Sequence, residues 1–248
     1  VISFMNAQSR PGFEEAICQG DENFSNGEYQ AAIHKYIAAE AFDPSDDAAE
    51  QWRKAGFGAV LAHRQDGIQR GSGVLALTLG EGREHQAIVD PHLGAFFSFS
   101  KGASRQPYPS SLMGAIALLR QTYLDADWYA RGPRPATETN LSLRAWNDLL
   151  RGPEAEPGFF KVDDPFDALR AQKIADEFGV RYTYRGSGKE YRRLEALKTT
   201  GAGFIVPLDF PEAYDVSDPL DAELLDYDDL LHWELAPTNP ARMVAAGI

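Results

Sequence analysis

The feature that most constrains this chain is a rhythm that begins near residue 158. A short apolar run, Phe159 to Val162, is followed by a helical pattern from Pro165 to Phe178 and then by Gly179. A second run, Val180 to Tyr184, leads to a helical stretch from Lys189 to Thr199, and Gly201 precedes a third run, Phe204 to Leu208. Strand, helix, glycine, strand is the signature of parallel βαβ units, because a parallel pair needs a crossover and a helix supplies it. Further helices are predicted around Leu220 to Leu231 and from Asn239 to Ala246.

Upstream the pattern is looser. Phe57 to Ala62 reads as a buried parallel strand, and Val74 to Leu79 as a second strand entered through Gly71-Ser72-Gly73. Ala95 to Phe99 reads as a third. Pro109-Ser110-Ser111 opens a helix with Leu112, Ile116, Leu119 and Tyr123 at helical spacing, and Thr139 or Asn140 caps a shorter one reaching Leu150. Residues 1–55 read as mostly helical and polar, with helices over Gln30–Ala41 and Asp47–Lys54, the latter closed by Gly56. The expectation is therefore an α/β chain with a (β/α)8 TIM-barrel-like architecture, incomplete at both ends. Residues 1–55 would be a helical segment packed on the barrel, and residues 56–248 the barrel itself. A doubly wound open sheet is the alternative. No G-x-G-x-x-G lies between a strand and a helix, which disfavours a dinucleotide fold.

Charge narrows the partners. The chain carries 24 Lys and Arg against 37 Asp and Glu, a formal net charge of −13. Such a surface repels phosphate backbones, so nucleic acid is not an expected ligand. No apolar run is long enough to span a bilayer. Cys18 is the sole cysteine, which excludes an intrachain disulfide and a thiolate metal cluster. The chain starts at Val1 and stops at Ile248 just after a helical pattern, where a strand would be expected, so it reads as a piece of a longer protein.

Five histidines are present: His34, His63, His85, His92 and His232. None forms H-x-H or H-E-x-x-H, and a catalytic zinc needs about three converging ligands. His85 and His92 fall in a polar loop. His63 ends a predicted strand. There it is either a catalytic residue at a barrel mouth or a satisfied buried histidine. The run from His63 to Gly73 is the densest polar segment and is expected to be a βα loop. Asp66 would serve as acid or base with His63, and Arg64 and Arg70 would hold a carboxylate in bidentate fashion, or these charges merely brace one another. In the stretch from Phe96 to Gly114, Lys101, Ser104 and Tyr108 either line a ligand pocket or form a rigid corner. Ser100 and Lys101 are adjacent and lack the S-x-x-K spacing of an acyl enzyme. Gly186-Ser187-Gly188, ahead of Glu190, can cradle an anion, although a structural loop is the plainer reading. The acidic residues Asp163, Asp164, Asp167, Asp209, Glu212, Asp215, Asp218, Asp221, Asp226, Asp228 and Asp229 read as helix caps and a solvated face, with no calcium loop among them.

Several segments carry a likeness. They are Gly56-Phe57-Gly58-Ala59-Val60-Leu61-Ala62-His63 with Gln65-Asp66-Gly67-Ile68; Phe97-Ser98-Phe99-Ser100-Lys101-Gly102; Tyr108-Pro109-Ser110-Ser111-Leu112-Met113-Gly114; and Ala168-Leu169-Arg170 with Asp176-Glu177-Phe178-Gly179-Val180. Together, over most of the chain from about residue 48, they resemble the imidazolonepropionase-related amidohydrolases, in particular a bacterial group of long, often exported proteins. The resemblance implies a metal-dependent hydrolase barrel, with zinc in intact members and a small β-sandwich outside this chain. It also implies a periplasmic or exported location, while the composition leaves a cytoplasmic one open. The family's H-x-H is missing here. Its two later histidines would fall near Lys161 and Arg185, and its last aspartate would lie past Ile248. The expected reading is a barrel segment with no metal of its own. Lys101, Lys161 and Arg185 would bind a carboxylate of a small-molecule or peptide-like substrate, and the parent protein would hydrolyse a C–N bond. The rivals are a metal-independent hydrolase using His63 and Asp66, and a non-catalytic half that dimerises or packs on a second half of the parent.

Overall fold

The computed structural model describes residues 2–6, 46–79, 86–132, 158–218 and 223–248, together with residues 140, 143, 144, 146, 147, 150, 155 and 220. The chain divides into two compact units, Val1–Gly158 and Phe159–Ile248. Both mix helices and strands.

In the first unit four strands lie side by side in chain order: β1 (Ile2–Asn6), β2 (Ala59–His63), β3 (Gln69–Leu77) and β4 (Ile88–Ser98). β1 runs parallel to β2 with Asn6 opposite His63. β2 with β3 and β3 with β4 are antiparallel. β1 lies within residues 1–55 and pairs with β2 across the expected boundary at residue 55. One expectation is corrected here. The polar run from His63 to Gly73 is not a βα loop. Residues 64–68 join two antiparallel strands directly, a span too short for a helical crossover. Gly71, Ser72 and Gly73 lie inside β3, where the register with β4 shifts repeatedly. Gly73 is there for close packing: a Cβ on it would stand 2.4 Å from the Phe96 ring.

Helix α1 (Asp46–Lys54) matches the expected helix, and the expected helix over Gln30–Ala41 lies outside the described residues. α1 is tied to β3 by Arg53, whose Nη1 donates to the Thr78 carbonyl at 3.1 Å. Helix α2 (Leu112–Arg131) starts where the sequence places it, with Ser111 as N-cap accepting the Gly114 N–H. Ala115, Leu119, Tyr123, Ala126 and Tyr129 form its buried stripe. Trp146 joins that stripe to the sheet, with its ring 5.1 Å from Tyr123 and 5.3 Å from Phe97. Asn140 Oδ1 accepts the Leu143 N–H, as a capping residue should.

In the second unit β5 (Gly158–Lys161), β6 (Tyr182–Arg185) and β7 (Phe204–Ile205) again follow chain order. β6 and β7 are parallel. Helix α3 (Pro165–Phe178) connects β5 to β6. Asp164 caps it by accepting the Phe166 N–H at 2.7 Å, Pro165 fixes its first turn, and Gly179 closes it in the left-handed conformation. The expected helix over Lys189–Thr199 is a 3-10 turn (Glu190–Arg192) followed by α4 (Leu194–Lys198). The helix expected around Leu220 to Leu231 is α5, shifted to Tyr227–Leu235, and α6 spans Asn239–Ala246. Phe160, Tyr182, Tyr184 and Phe204 pack edge-to-face or tilted across the three strands with centroids 5.2–6.3 Å apart. Tyr184 Oη donates to Gln172 Oε1 at 2.9 Å, and burial pushes its phenol pKa up.

In each unit the strands lie in chain order, which is consistent with part of a barrel, and the described residues include seven strands rather than the eight of a closed (β/α)8 barrel. No helix among them is long and apolar enough to cross a membrane.

Candidate functional site

In the first unit the predicted residues gather at the carboxyl ends of β2 and β4. His63, the last residue of β2, is 2% exposed. Its ring stacks on Phe96 with centroids 4.2 Å apart and planes 11° from parallel. Its Nδ1 lies 2.6 Å from the Arg64 carbonyl oxygen. A carbonyl only accepts, so Nδ1 carries the proton in the neutral ring and Nε2 is the basic nitrogen. His63 is thus held as a packed, hydrogen-bonded core residue rather than standing open at a mouth.

Arg64 turns back on Asp66, with Nη2 2.8 Å from Oδ2. Both sit in a short connection that is stitched to the loop after β4. Asp66 bridges Gly102, the Gly67 N–H donates to the Lys101 carbonyl at 2.8 Å, and the Ala103 N–H to the Gln65 carbonyl at 3.2 Å. Arg70, on β3 and 3% exposed, lies beneath. Its Nε donates to the Gly67 carbonyl and its Nη2 to the Ser100 carbonyl, each at 3.2 Å. The loops approach so closely that a Cβ on Gly102 would lie 1.8 Å from the Gln65 carbonyl oxygen. Lys101 Nζ donates to the Gln106 carbonyl at 2.7 Å, and Tyr108 Oη to the Gly114 carbonyl at 3.1 Å. These contacts make the corner rigid. Within it Arg64 is paired with Asp66, while Arg70 and Lys101 are bonded to backbone carbonyls.

In the second unit Lys161 and Arg185 end neighbouring strands. The Val162 N–H donates to the Arg185 carbonyl at 3.0 Å, so the two side chains rise from adjacent strand ends. Lys161 is one-third exposed and pairs with Asp163 at 3.0 Å. Arg185 is half-buried. The carboxyl edge of parallel strands is where α/β folds bind ligands.

The loop after β6 holds a residue that sequence reasoning underrated. Glu190 is completely buried. Its Oε1 accepts from the Ser187 N–H at 2.6 Å and the Ser187 hydroxyl at 3.0 Å, and its Oε2 accepts from Asn239 Nδ2 at 2.7 Å. Asn239 returns the link by accepting the Tyr191 N–H at 2.8 Å. The Gly186-Ser187-Gly188 loop therefore wraps a carboxylate of its own chain.

Beside it, Tyr191 Oη shares a hydrogen bond with His232 Nδ1 at 3.2 Å and accepts from Arg192 Nε at 3.3 Å. Arg192 pairs with Asp228 at 2.8 Å. Burial, then Lys189 and Arg192, hold the His232 pKa below its usual value. Asp226, Asp215 and Asp218 each accept nearby backbone N–H groups, as expected of caps. His92 is on β4 and exposed rather than in a loop, while His34 and His85 lie outside the described residues. Among the described residues no three His, Cys, Asp or Glu side chains converge as a metal site would require.

No family model matches this chain, and no curated protein matches it. One solved structure that does is the crystal structure of an amidohydrolase from Thermotoga maritima MSB8, with a TM-score of 0.56 and 18% sequence identity. The match covers 83% of this chain and 66% of that one, so this chain spans just under two thirds of the neighbour's length. At that identity the likeness concerns the path of the backbone: the chain has an amidohydrolase-like fold.

Proposed function

We propose that this chain belongs to an amidohydrolase-related protein acting on C–N bonds, and that its own carboxyl strand edge binds a carboxylate instead of a metal ion. The observation that carries this reading is the pair of cations, Lys161 and Arg185, on adjacent strand ends. A divalent ion needs lone pairs, and neither an ammonium nor a guanidinium has one at neutral pH. These residues do not fit the zinc that the sequence resemblance implies, so no chemical step is routed through a metal here. They fit an anion well. The Lys161–Asp163 pair is partly exposed and solvent-accessible pairs are worth about 0–1 kcal/mol, so a ligand carboxylate can displace Asp163. Arg185 offers the planar fork that carboxylates prefer.

The C–N chemistry is a property of the parent protein in this proposal, drawn from the fold likeness and the sequence resemblance. The chain by itself would bind and not hydrolyse. Equilibrium dialysis of the purified chain against zinc, followed by elemental analysis, tests the first half. The expected result is well below one zinc per chain, and a stoichiometric ion abolished by replacing residues at these strand ends would overturn it. An amide substrate panel run on wild type and His63→Ala tests the second half. No turnover is expected from either. Turnover lost in His63→Ala would favour the metal-independent reading.

A further inference from the structure

Every charged residue between Thr199 and Ala241 is Asp or Glu. The same stretch concentrates the large apolar side chains that the described residues leave exposed. Leu208, Leu220 and Leu224 are 67%, 69% and 81% exposed, and Tyr227 is 78% exposed. Helix α5 buries none of its residues, and Tyr227, Leu230 and Trp233 recur along it at i, i+3, i+6, which puts them on one stripe. Tyr191 bonds to its His232 and Arg192 to its Asp228, both on the helix face opposite that stripe. Large exposed apolar side chains gathered in one stretch of a folded unit point to an interaction site.

The charge pattern selects the occupant. Carboxylates interleaved with the apolar side chains oppose docking on an anionic bilayer. A symmetric dimer through this surface would set the acidic stretch against itself, an unfavourable like-charge juxtaposition. A basic partner meets both requirements, since its ammonium or guanidinium groups answer the carboxylates while its apolar side chains cover the leucines and aromatics. We propose that the exposed side chains of Leu208, Leu220, Leu224, Tyr227, Leu230 and Trp233 dock a polypeptide segment in which Lys or Arg alternates with large apolar side chains at helical spacing. This does not rest on the carboxylate-binding reading, because it uses none of the same side chains.

The probe is a fluorescein-labelled Leu/Lys peptide with helical apolar spacing, titrated by anisotropy against the full chain, with a Leu/Glu peptide of the same pattern beside it. Three variants accompany wild type: Leu220→Ser with Leu224→Ser, Glu212→Lys with Glu223→Lys, and Met113→Ser with Leu124→Ser on α2 as an off-site control. All replaced side chains are exposed, and circular dichroism confirms folding. Saturable binding of the Lys peptide is expected, weakened about tenfold or more by each of the first two variants and by added salt, and unchanged by the third. The Glu peptide should not bind. Equal affinity for all three variants overturns the proposal, as does binding of wild type to phosphatidylglycerol vesicles, or a concentration-dependent dimer that the Leu220→Ser, Leu224→Ser variant abolishes.

Discussion

In the first unit Arg70 lies beneath the loops at the carboxyl ends of β2 and β4 and donates to the carbonyls of Gly67 and Ser100. In the second, Glu190 lies beneath the loop after β6 and accepts from Ser187 and Asn239. One loop pair is organised by a buried cation that collects carbonyl oxygens, the other by a buried carboxylate that collects N–H and O–H donors. Burying either charge is expensive, and hydrogen bonds to the ionised group make it tolerable. The difference shows in what stands above. Over Arg70 the polar side chains are spent on each other, as Arg64 is on Asp66. Over Glu190 the loop is held by uncharged donors, the Ser187 N–H and hydroxyl and the Asn239 amide.

The harshest way to break the first arrangement is Gly102→Ala. Its Cβ would collide with the Gln65 carbonyl oxygen, and the left-handed backbone adds strain. The loss of unfolding free energy should be about 4 kcal/mol by urea denaturation, near the top of the range for single substitutions. Gly56→Ala, also left-handed but facing open space, should cost only about 1–2 kcal/mol. Similar losses for the two would contradict the close approach of the loops.

Glu190→Ala strikes the second arrangement by leaving the Ser187 and Asn239 donors buried without an acceptor. A loss of about 3 kcal/mol is expected. Glu190→Gln should recover little, because its amide turns an N–H toward donors. If Gln rescues fully, the carboxylate is not what organises the loop.

Arg64→Ala and Asp66→Asn should each cost about 1–3 kcal/mol, less than a fully buried pair, because Asp66 retains some exposure. A double-mutant cycle should show clear coupling, and additive effects would sever them.

The smallest expected effect is in pH. The His232 pKa is lowered in the folded chain, chiefly by burial, so the folded state favours the neutral ring. Its contribution is fully present above the ordinary histidine value of 6.5 and is lost as pH falls through the lowered folded value. His232→Gln should therefore flatten the stability profile on the acid side of 6.5 and leave the alkaline side parallel to wild type.

What the sequence made legible was local. Asp164, Pro165 and Gly179 mark both ends of α3, and their caps need only neighbouring residues. Asn239–Ala246 was equally plain. The meander β2-β3-β4 was not. Gly71 and Gly73 have the composition of a loop, yet Gly73 is small because Phe96, far along the chain, packs onto it. β1 was hidden in a polar region, since a five-residue strand is recognisable mainly by its partner. Glu190 looked like an ordinary acidic residue at a helix start. Its burial depends on Asn239, which contributes from a separate helix, so no local pattern could show it. The types of site residues were readable; which of them turn inward to brace one another was a matter of tertiary geometry.

The most direct measurement of the central claim is calorimetric titration of the full chain with glutarate, repeated with Lys161→Gln, Arg185→Gln and the pair. The account expects saturable binding by wild type, weakened about tenfold by either substitution and abolished by both. Glutarate affinity unchanged in the double variant would contradict it.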